Sequence, residues 1–312
     1  VSIAVGTRVT MRYRLPPGHS HPMTDVIGEL IESGDSVVAV RATDGRVVRV
    51  YPDRVVALKA LGPRPIRTSE IRALERAAVD GWPGIELAEI DGWLLRAGHG
   101  FTGRANSAVP VAPHASEASL AAVAEWLDAR GLPAVLLLPD RLGSVPPGWV
   151  TRDETLVMAA DIARLELPAE SVSVISDAPD EDWLGLYRYR GRSVPDDAVE
   201  VISSVRDGVL GFARIGSSAS EILAIGRGAV TSSPDGRRWV GLTAIEVSQA
   251  HRRNGLGTRV CGELVAWGRE QGASHAYLQV SATNTGAIEM YRGLGFLEHH
   301  RYRYAEPVGA LE

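Results

Sequence analysis

From Val5 to Leu61 apolar and polar positions alternate in short runs rich in β-branched residues: GTRVTMRYRL, TDVIGELIES, SVVAVRAT, RVVRVYP and RVVAL. Alternation with period two predicts half-buried strands, and Asp44-Gly45 between two such runs predicts a hairpin turn. Five short strands in this stretch predict a small barrel, closed so that no long edge is left open. Gly62-Pro63-Arg64-Pro65 then reads as a stiff linker, because neither proline lets a helix or strand continue.

In pattern and size the first unit resembles an SH3-like barrel. Past the linker the period lengthens. SEIRALERAAVDGW places Ile71, Leu74, Ala78 and Val79 on one helical face, with Ser69, Glu70 and Arg72 at its start. Strands follow in IELAEIDGWLLRAG and RANSAVPV, then a helix, SEASLAAVAEWLDARG, closed by Gly131. LPAVLLLP is a continuous apolar run and predicts a strand buried on both faces; TLVMAADI predicts another. From about Ser171 that order returns. EDWLGLYRYR reads as helix, GVLGFARIG, EILAIGRGAV and WVGLTAIEV as strands, and Leu256–Glu270 as helix. The strand HAYLQVSAT, the helix TGAIEMYRGLG and the strand LEHHRYRYA complete the set. The repeat predicts a duplicated α/β fold behind the barrel, with units at 1–62, 66–165 and 171–312.

Composition narrows the class. The 312 residues, 45% hydrophobic and 23% charged, fit a soluble multi-unit protein. A net charge of −5 speaks against nucleic acid or an anionic membrane as partner, although Arg46, Arg49 and Arg54 could form a local patch. No apolar run reaches the ~20 residues of a membrane helix, and VSIAVGTRVTMRYR lacks the layout of a secretory signal, so a cytoplasmic location is expected. Cys261, the only cysteine, excludes an internal disulfide and a cysteine-based zinc site. His19 and His21 lack a carboxylate or cysteine partner, and the adjacent His299 and His300 are expected on opposite faces of a strand, so no metal is expected. Lys59 is the only lysine, which codon usage in a GC-rich genome explains.

The chemistry concentrates between Trp239 and Phe296. A strand ends at Val247, a polar turn carries His251-Arg252-Arg253-Asn254, and Gly255-Leu256-Gly257 opens a helix. Unpaired N–H groups, the positive end of the helix dipole, glycines and two arginines together make a cradle for a diphosphate. A dinucleotide fold would want glycine where Val260 stands and a carboxylate near Gln279; a P-loop would want a lysine.

This segment resembles the GCN5-related N-acetyltransferases (GNAT). Arg252, Gly255 and Gly257 match the Arg/Gln-x-x-Gly-x-Gly/Ala signature of that superfamily, and Ile245-Glu246-Val247 the strand before it. Asn284, Ala287, Tyr291 and Gly295-Phe296 match its downstream segment, and Gly211–Ile215 its second strand. The resemblance covers roughly the last 140 residues. It implies a mixed sheet whose central strands WVGLTAIEV and HAYLQVSAT splay apart, with acetyl-CoA as co-substrate and no metal. Its pantetheine would lie along Ile245, Glu246 and Val247, and its pyrophosphate on the N–H groups of Arg253, Asn254, Gly255, Leu256, Gly257 and Thr258. Asn284 would hydrogen-bond the pantetheine, and Tyr291 would stand near the sulfur.

The implied reaction is direct acetyl transfer to a primary amine, with Tyr291 as proton donor to the leaving thiolate. Several members place a glutamate base where this chain has Gln279. Glu246 is the substitute, the alternative being a carboxylate facing Arg252, Arg253 or solvent; Glu221 and a water chain come next. The earlier copy lacks the phosphate turn, reading VAPHASEASL there, and is expected to be catalytically silent. Arg96, Arg104 and Asn106 line either a cleft or a solvated hairpin, and Tyr302 and Tyr304 either the acceptor pocket or the core. The acceptor, small molecule, peptide or protein lysine, is left open, its pocket walled by loops such as 190–200. Tandem halves can satisfy within one chain the contacts other members make by dimerising, which is compatible with a monomer. The competing function is an acyl-CoA sensor that has lost its base.

Overall fold

A computed structural model describes residues 3–42, 44–62, 64–188, 191, 194–218 and 221–309, the side chains of 217 and 218 excepted. The chain divides into two compact units, Val1–Pro65 and Ile66–Glu312.

The first unit is one antiparallel sheet of β1 (Arg8–Arg14), β2 (Met23–Ser33), β3 (Val38–Ala42), β4 (Val47–Val50) and β5 (Val55–Ala60), in the order β4-β3-β2-β1-β5. Alternate residues Val9, Met11, Val26, Leu30, Val38, Val40 and Val50 form its core, as the period-two pattern requires. Gly45, at φ +84°, supplies the left-handed residue of the β3–β4 turn. β4 and β5 end the strand order and are joined by a short 3-10 turn at Pro52–Arg54, in keeping with the small all-β barrel expected for this unit.

The second unit holds α1 (Thr68–Gly81), β6 (Glu86–Ile90), β7 (Trp93–Ala97), β8 (Ala108–Pro110), α2 (Leu120–Asp128), β9 (Leu136–Pro139) and β10 (Trp149–Asp161). It continues with β11 (Val174–Ser176), α3 (Glu181–Leu186), α4 (Ala198–Ile202), β12 (Val209–Ser218), β13 (Glu221–Ser232) and β14 (Arg238–Val247). Last come α5 (Leu256–Glu270), β15 (His275–Ser281), α6 (Thr285–Gly293) and β16 (Leu297–Pro307). The helix expected over 181–190 stops at Leu186, where Tyr187 turns to extended backbone and buries its ring against Trp183. Among the described residues no helix is long and apolar enough to cross a membrane.

All eleven strands form one sheet, ordered β11-β12-β13-β14-β15-β10-β16-β9-β8-β7-β6. Read outward from the antiparallel β10–β16 pair, the two sides match: parallel β15 and β14 on one side, parallel β9 and β8 on the other. The last strand of each copy therefore pairs within the other copy: β10 beside β15, and β16 beside β9. Leu156, Met158 and Ala160 of β10 accordingly sit in the core that α5 covers. Glu263 of α5 fastens the connection between the copies. Burial opposes its charge, but Ser171 and Ser173, the Val172 N–H and Arg259 all donate to it and hold its pKa down at about 2.

One register detail corrects the sequence reading. Val157 pairs with His300 but Met158 pairs with Glu298, so His299 is an extra residue in a bulge. The bulge turns both histidines toward the same side, with their Nδ1 atoms 2.8 Å apart. His300 Nε2 lies 2.6 Å from the buried carboxylate of Glu75, and His299 packs edge-on to Trp239. Burial, and His300 beside it, push the His299 pKa down to about 3.

Candidate active site

β14 and β15 pair only from Trp239–His275 to Leu242–Leu278. Beyond Leu242 the edge of β14 that faces β15 has no strand partner among the described residues. A bulge starts there: Arg227 of β13 pairs with Thr243, Ile225 with Glu246, and Ala244 takes φ +52°. On that edge, the backbone groups of 243–247 that neither β13 nor Arg252 engages are thus left for a ligand to satisfy. The bulge also sorts the side chains. Ile245 and Val247 pack on the α5 side, while Ala244 joins the opposite cluster with Trp82, Phe212 and Ile225.

The turn into α5 is unusual for a helix start. Arg253 and Gly255 both have positive φ, +68° and +76°, and no side chain caps the helix. Asp180 caps α3 and Asn284 caps α6, whereas α5, like α2 and α4, has no side-chain cap; its N–H groups at Leu256, Gly257 and Thr258 are free behind a turn with two left-handed residues, an arrangement suited to an anion. A Cβ on Gly255 would meet nothing within 4 Å, whereas one on Gly257 would lie 3.0 Å from Met290 Sδ and 3.7 Å from Val247 Cγ2. Gly255 therefore serves the turn's conformation, and Gly257 the packing of β14, α5 and α6.

The expected site residues divide in two. Ile245, Val247, Arg253–Thr258 and Asn284 gather at the ends of β14 and β15 with backbone or side-chain groups to offer. Arg252 and Glu246 are spent on each other at 2.9 Å, and Arg252 also donates to the Val247 carbonyl. Asn284 accepts from the Ala287 N–H at 3.2 Å, leaving its amide nitrogen for a ligand. Tyr291 is buried beside Cys261 and Phe296, and burial raises its pKa above the usual tyrosine value. Its hydroxyl has no hydrogen-bond partner among the described residues. Burial also pushes the Cys261 thiol up to about 12, which makes it an inert core residue. Glu221 lies at the exposed start of β13, three residues beyond the Ala224–Val247 pair.

Sequence reasoning missed what faces the splay from the other side. Tyr277 and Gln279 alternate onto the α1 side of β15, and Gln279 accepts from Arg104 at 2.8 Å. Arg104 is no solvated hairpin residue. With Asn106, Tyr187, Tyr302, Tyr304 and Ser281 it lines a cavity of about 730 Å³ in the second unit. The 190–200 loop expected to wall such a pocket lies partly outside the described residues. Nearby, Arg227 is fully buried, bonded to the carbonyls of Gly81, Ile202 and Ser204 and to Thr243; burial pushes its pKa down to about 9. In the earlier copy no side chain caps the corresponding helix, α2, and the hydroxyl of Ser119 before it donates to the Asp91 carboxylate at 2.9 Å.

Comparison with known proteins agrees with this geometry. Residues 68–305 match the family model described as "Probable histone acetyltransferase Rv0428c C-terminal", and residues 3–59 match that family's N-terminal Sm-like domain. The chain is 40% identical to "Probable histone acetyltransferase Rv0428c" of Mycobacterium tuberculosis, over 98% of this chain and 97% of that one. It is 28% identical to the N-acetyltransferase YobR of Bacillus subtilis, over 75% of this chain and 98% of the relative. A GCN5-related N-acetyltransferase from Kribbella flavida shares the fold at TM-score 0.51 and 16% identity, over 78% of this chain and 96% of that structure. The splayed strands and glycine turn define an acetyltransferase of the GNAT type. The chain belongs to the GCN5-related N-acetyltransferases, in the family that carries an Sm-like domain at its N-terminus.

Proposed function

We propose that this protein moves the acetyl group of acetyl-CoA directly to a primary amine, in the cytoplasm. The observation that carries the reading is the unpaired β14 edge beside the uncapped α5 turn, with Tyr291 buried in the core that β14, α5 and α6 share. The chain suits this donor: 243–247 offer an unpartnered strand edge to an extended amide chain, and Leu256–Thr258 offer free N–H groups to a diphosphate. Acetyl-CoA, when bound, supplies an activated acetyl thioester and a thiol leaving group.

Tyr291 holds a proton at its hydroxyl across the physiological range, because burial disfavours its phenolate. It is the donor to the leaving sulfur. Gln279 cannot accept a proton, and Glu246 is tied to Arg252, so Glu246 anchors the turn instead of acting as base. The amine then enters as its free base. The relative's name suggests a protein lysine as acceptor. The same two residues lend support to a sensor that binds acyl-CoA without turnover.

A thiol-release assay with acetyl-CoA and a broad amine panel decides between them. Amine-dependent release that falls roughly ten- to a thousandfold in Tyr291→Phe supports the enzyme. Tight acetyl-CoA binding with no turnover on any amine puts the sensor first.

A further inference from the structure

Three arginines meet around Trp82 on the α1 side of the sheet. Arg104 and Arg227 lie over its ring, 5.3 and 4.7 Å from the centroid, and Arg96 donates to its carbonyl at 3.4 Å. Among the described residues no carboxylate comes within ion-pair distance of any of the three. Glu75, the nearest in its electrostatic effect on Arg96, is taken by His300. At the cavity rim Arg152 is satisfied by Asp153 and Glu306, so the surplus charge belongs to the interior.

The three differ in what they still lack. Arg227 is saturated by four acceptors. Arg96 is 2% exposed, and its Nε and one terminal nitrogen have no partner among the described residues. Arg104 uses one N–H, toward Gln279, and lines the cavity, the other donors of its five-donor fork having no partner among the described residues. A buried cation left without a counter-charge is costly, and a planar fork of free donors matches a carboxylate or phosphate.

We propose that the acceptor carries an acidic group of its own: an amine bearing a carboxylate or phosphate, with that anion held by Arg104 in the cavity and the amine facing the splay. This rests on the acetyl-transfer reading above. In the transfer the amine nitrogen bonds the acetyl carbon as the carbon–sulfur bond breaks. The nitrogen releases its proton to solvent, the sulfur takes one from Tyr291, and Tyr291 regains its proton from solvent, so no net proton is gained or lost. Uncompensated cations beside the site also favour the neutral amine over the ammonium, which fits the lack of a base there. A lysine in a basic tail brings a further cation to a cavity already in surplus.

The test uses the full chain with acetyl-CoA and paired acceptors. These are the standard amino acids against their carboxamides, ethanolamine phosphate against ethanolamine, and a lysine-rich peptide; carboxylate and phosphate arms separate the two anion sources. Calorimetric binding of the same compounds runs beside turnover. The expected result is a preference of roughly ten- to a hundredfold for acid-bearing members over their neutral counterparts, lost in Arg104→Gln and partly kept in Arg104→Lys. Equal use of neutral amines or the peptide overturns this proposal while leaving acetyl transfer standing. Arg104-dependent binding of the acids without any turnover does the reverse. No preference in either readout, or a preference unchanged in Arg104→Gln, reduces Arg104 to a clamp on Gln279 and overturns the anion site.

Discussion

Gly257 of α5 stands against Met290 of α6 so closely that a Cβ would come within 3.0 Å of the sulfur, while Gly255 two residues earlier has open space around it. The two glycines of one motif therefore fail differently when changed. Gly255→Ala meets no neighbour but holds alanine at φ +76°, costing about 1 kcal/mol or slightly more. Gly257→Val pushes α5 off α6 and β14, a steric cost of roughly 1–3 kcal/mol. Thermal unfolding should register the second more strongly, and acetyl-CoA titration should show weaker binding in both.

The pH dependence of turnover follows from the Tyr291 environment. Burial raises its pKa above the ordinary tyrosine value of ~10, so the acid form persists into alkali. The rate should not fall through loss of this proton below about pH 10. Tyr291→Phe should lower kcat while changing donor KM little, since the ring still packs on Phe296. A matched fall in donor affinity would instead make Tyr291 a packing residue.

What was legible in the sequence was local. Helix α5 falls at Leu256–Glu270, as its periodicity and glycine pair predict, because turn chemistry and a single amphipathic face determine it. Five alternating runs likewise gave five strands. What failed was long-range. The Arg104–Gln279 bond spans 175 positions, so no window of sequence contains it. The His299 bulge depends on how β16 registers against β10, and period-two reasoning placed His299 and His300 on opposite faces for want of that register. The order of elements revealed two copies but not the exchange of their last strands.

Acid should loosen the connection between the copies through Glu263. Its folded pKa of about 2 lies below the ~4.3 of an unfolded glutamate, so its contribution is complete above pH ~4.3 and disappears as pH falls toward 2. At neutral pH Glu263→Gln should cost on the order of 2 kcal/mol, since the side chain is only 3% exposed and would lose its pairing with Arg259. Near pH 2 and below, the variant and wild type should converge. Urea unfolding across pH 2–7 measures both, and a gap that persists at low pH would assign the loss to packing.

Strand exchange makes a prediction about dissection. Cutting between 165 and 171 leaves the 171–312 piece with every motif residue but without β10. β15 then loses its pairs from Thr155–Ser281 to Asp161–His275, and β16 loses its whole β10 partner. The α5 core loses Leu156 and Met158, each buried to 3% or less and worth roughly 2–5 kcal/mol by comparison with truncation at such sites. That loss approaches the ~5–15 kcal/mol that holds a domain folded. The piece alone should aggregate or pair with itself through the open β15 and β16 edges, and co-expression with 66–165 should restore a defined species that binds acetyl-CoA. Size-exclusion chromatography of both preparations settles the point: a monomeric 171–312 fragment with full donor affinity would mean that β10 is an accessory to the active half and not part of it.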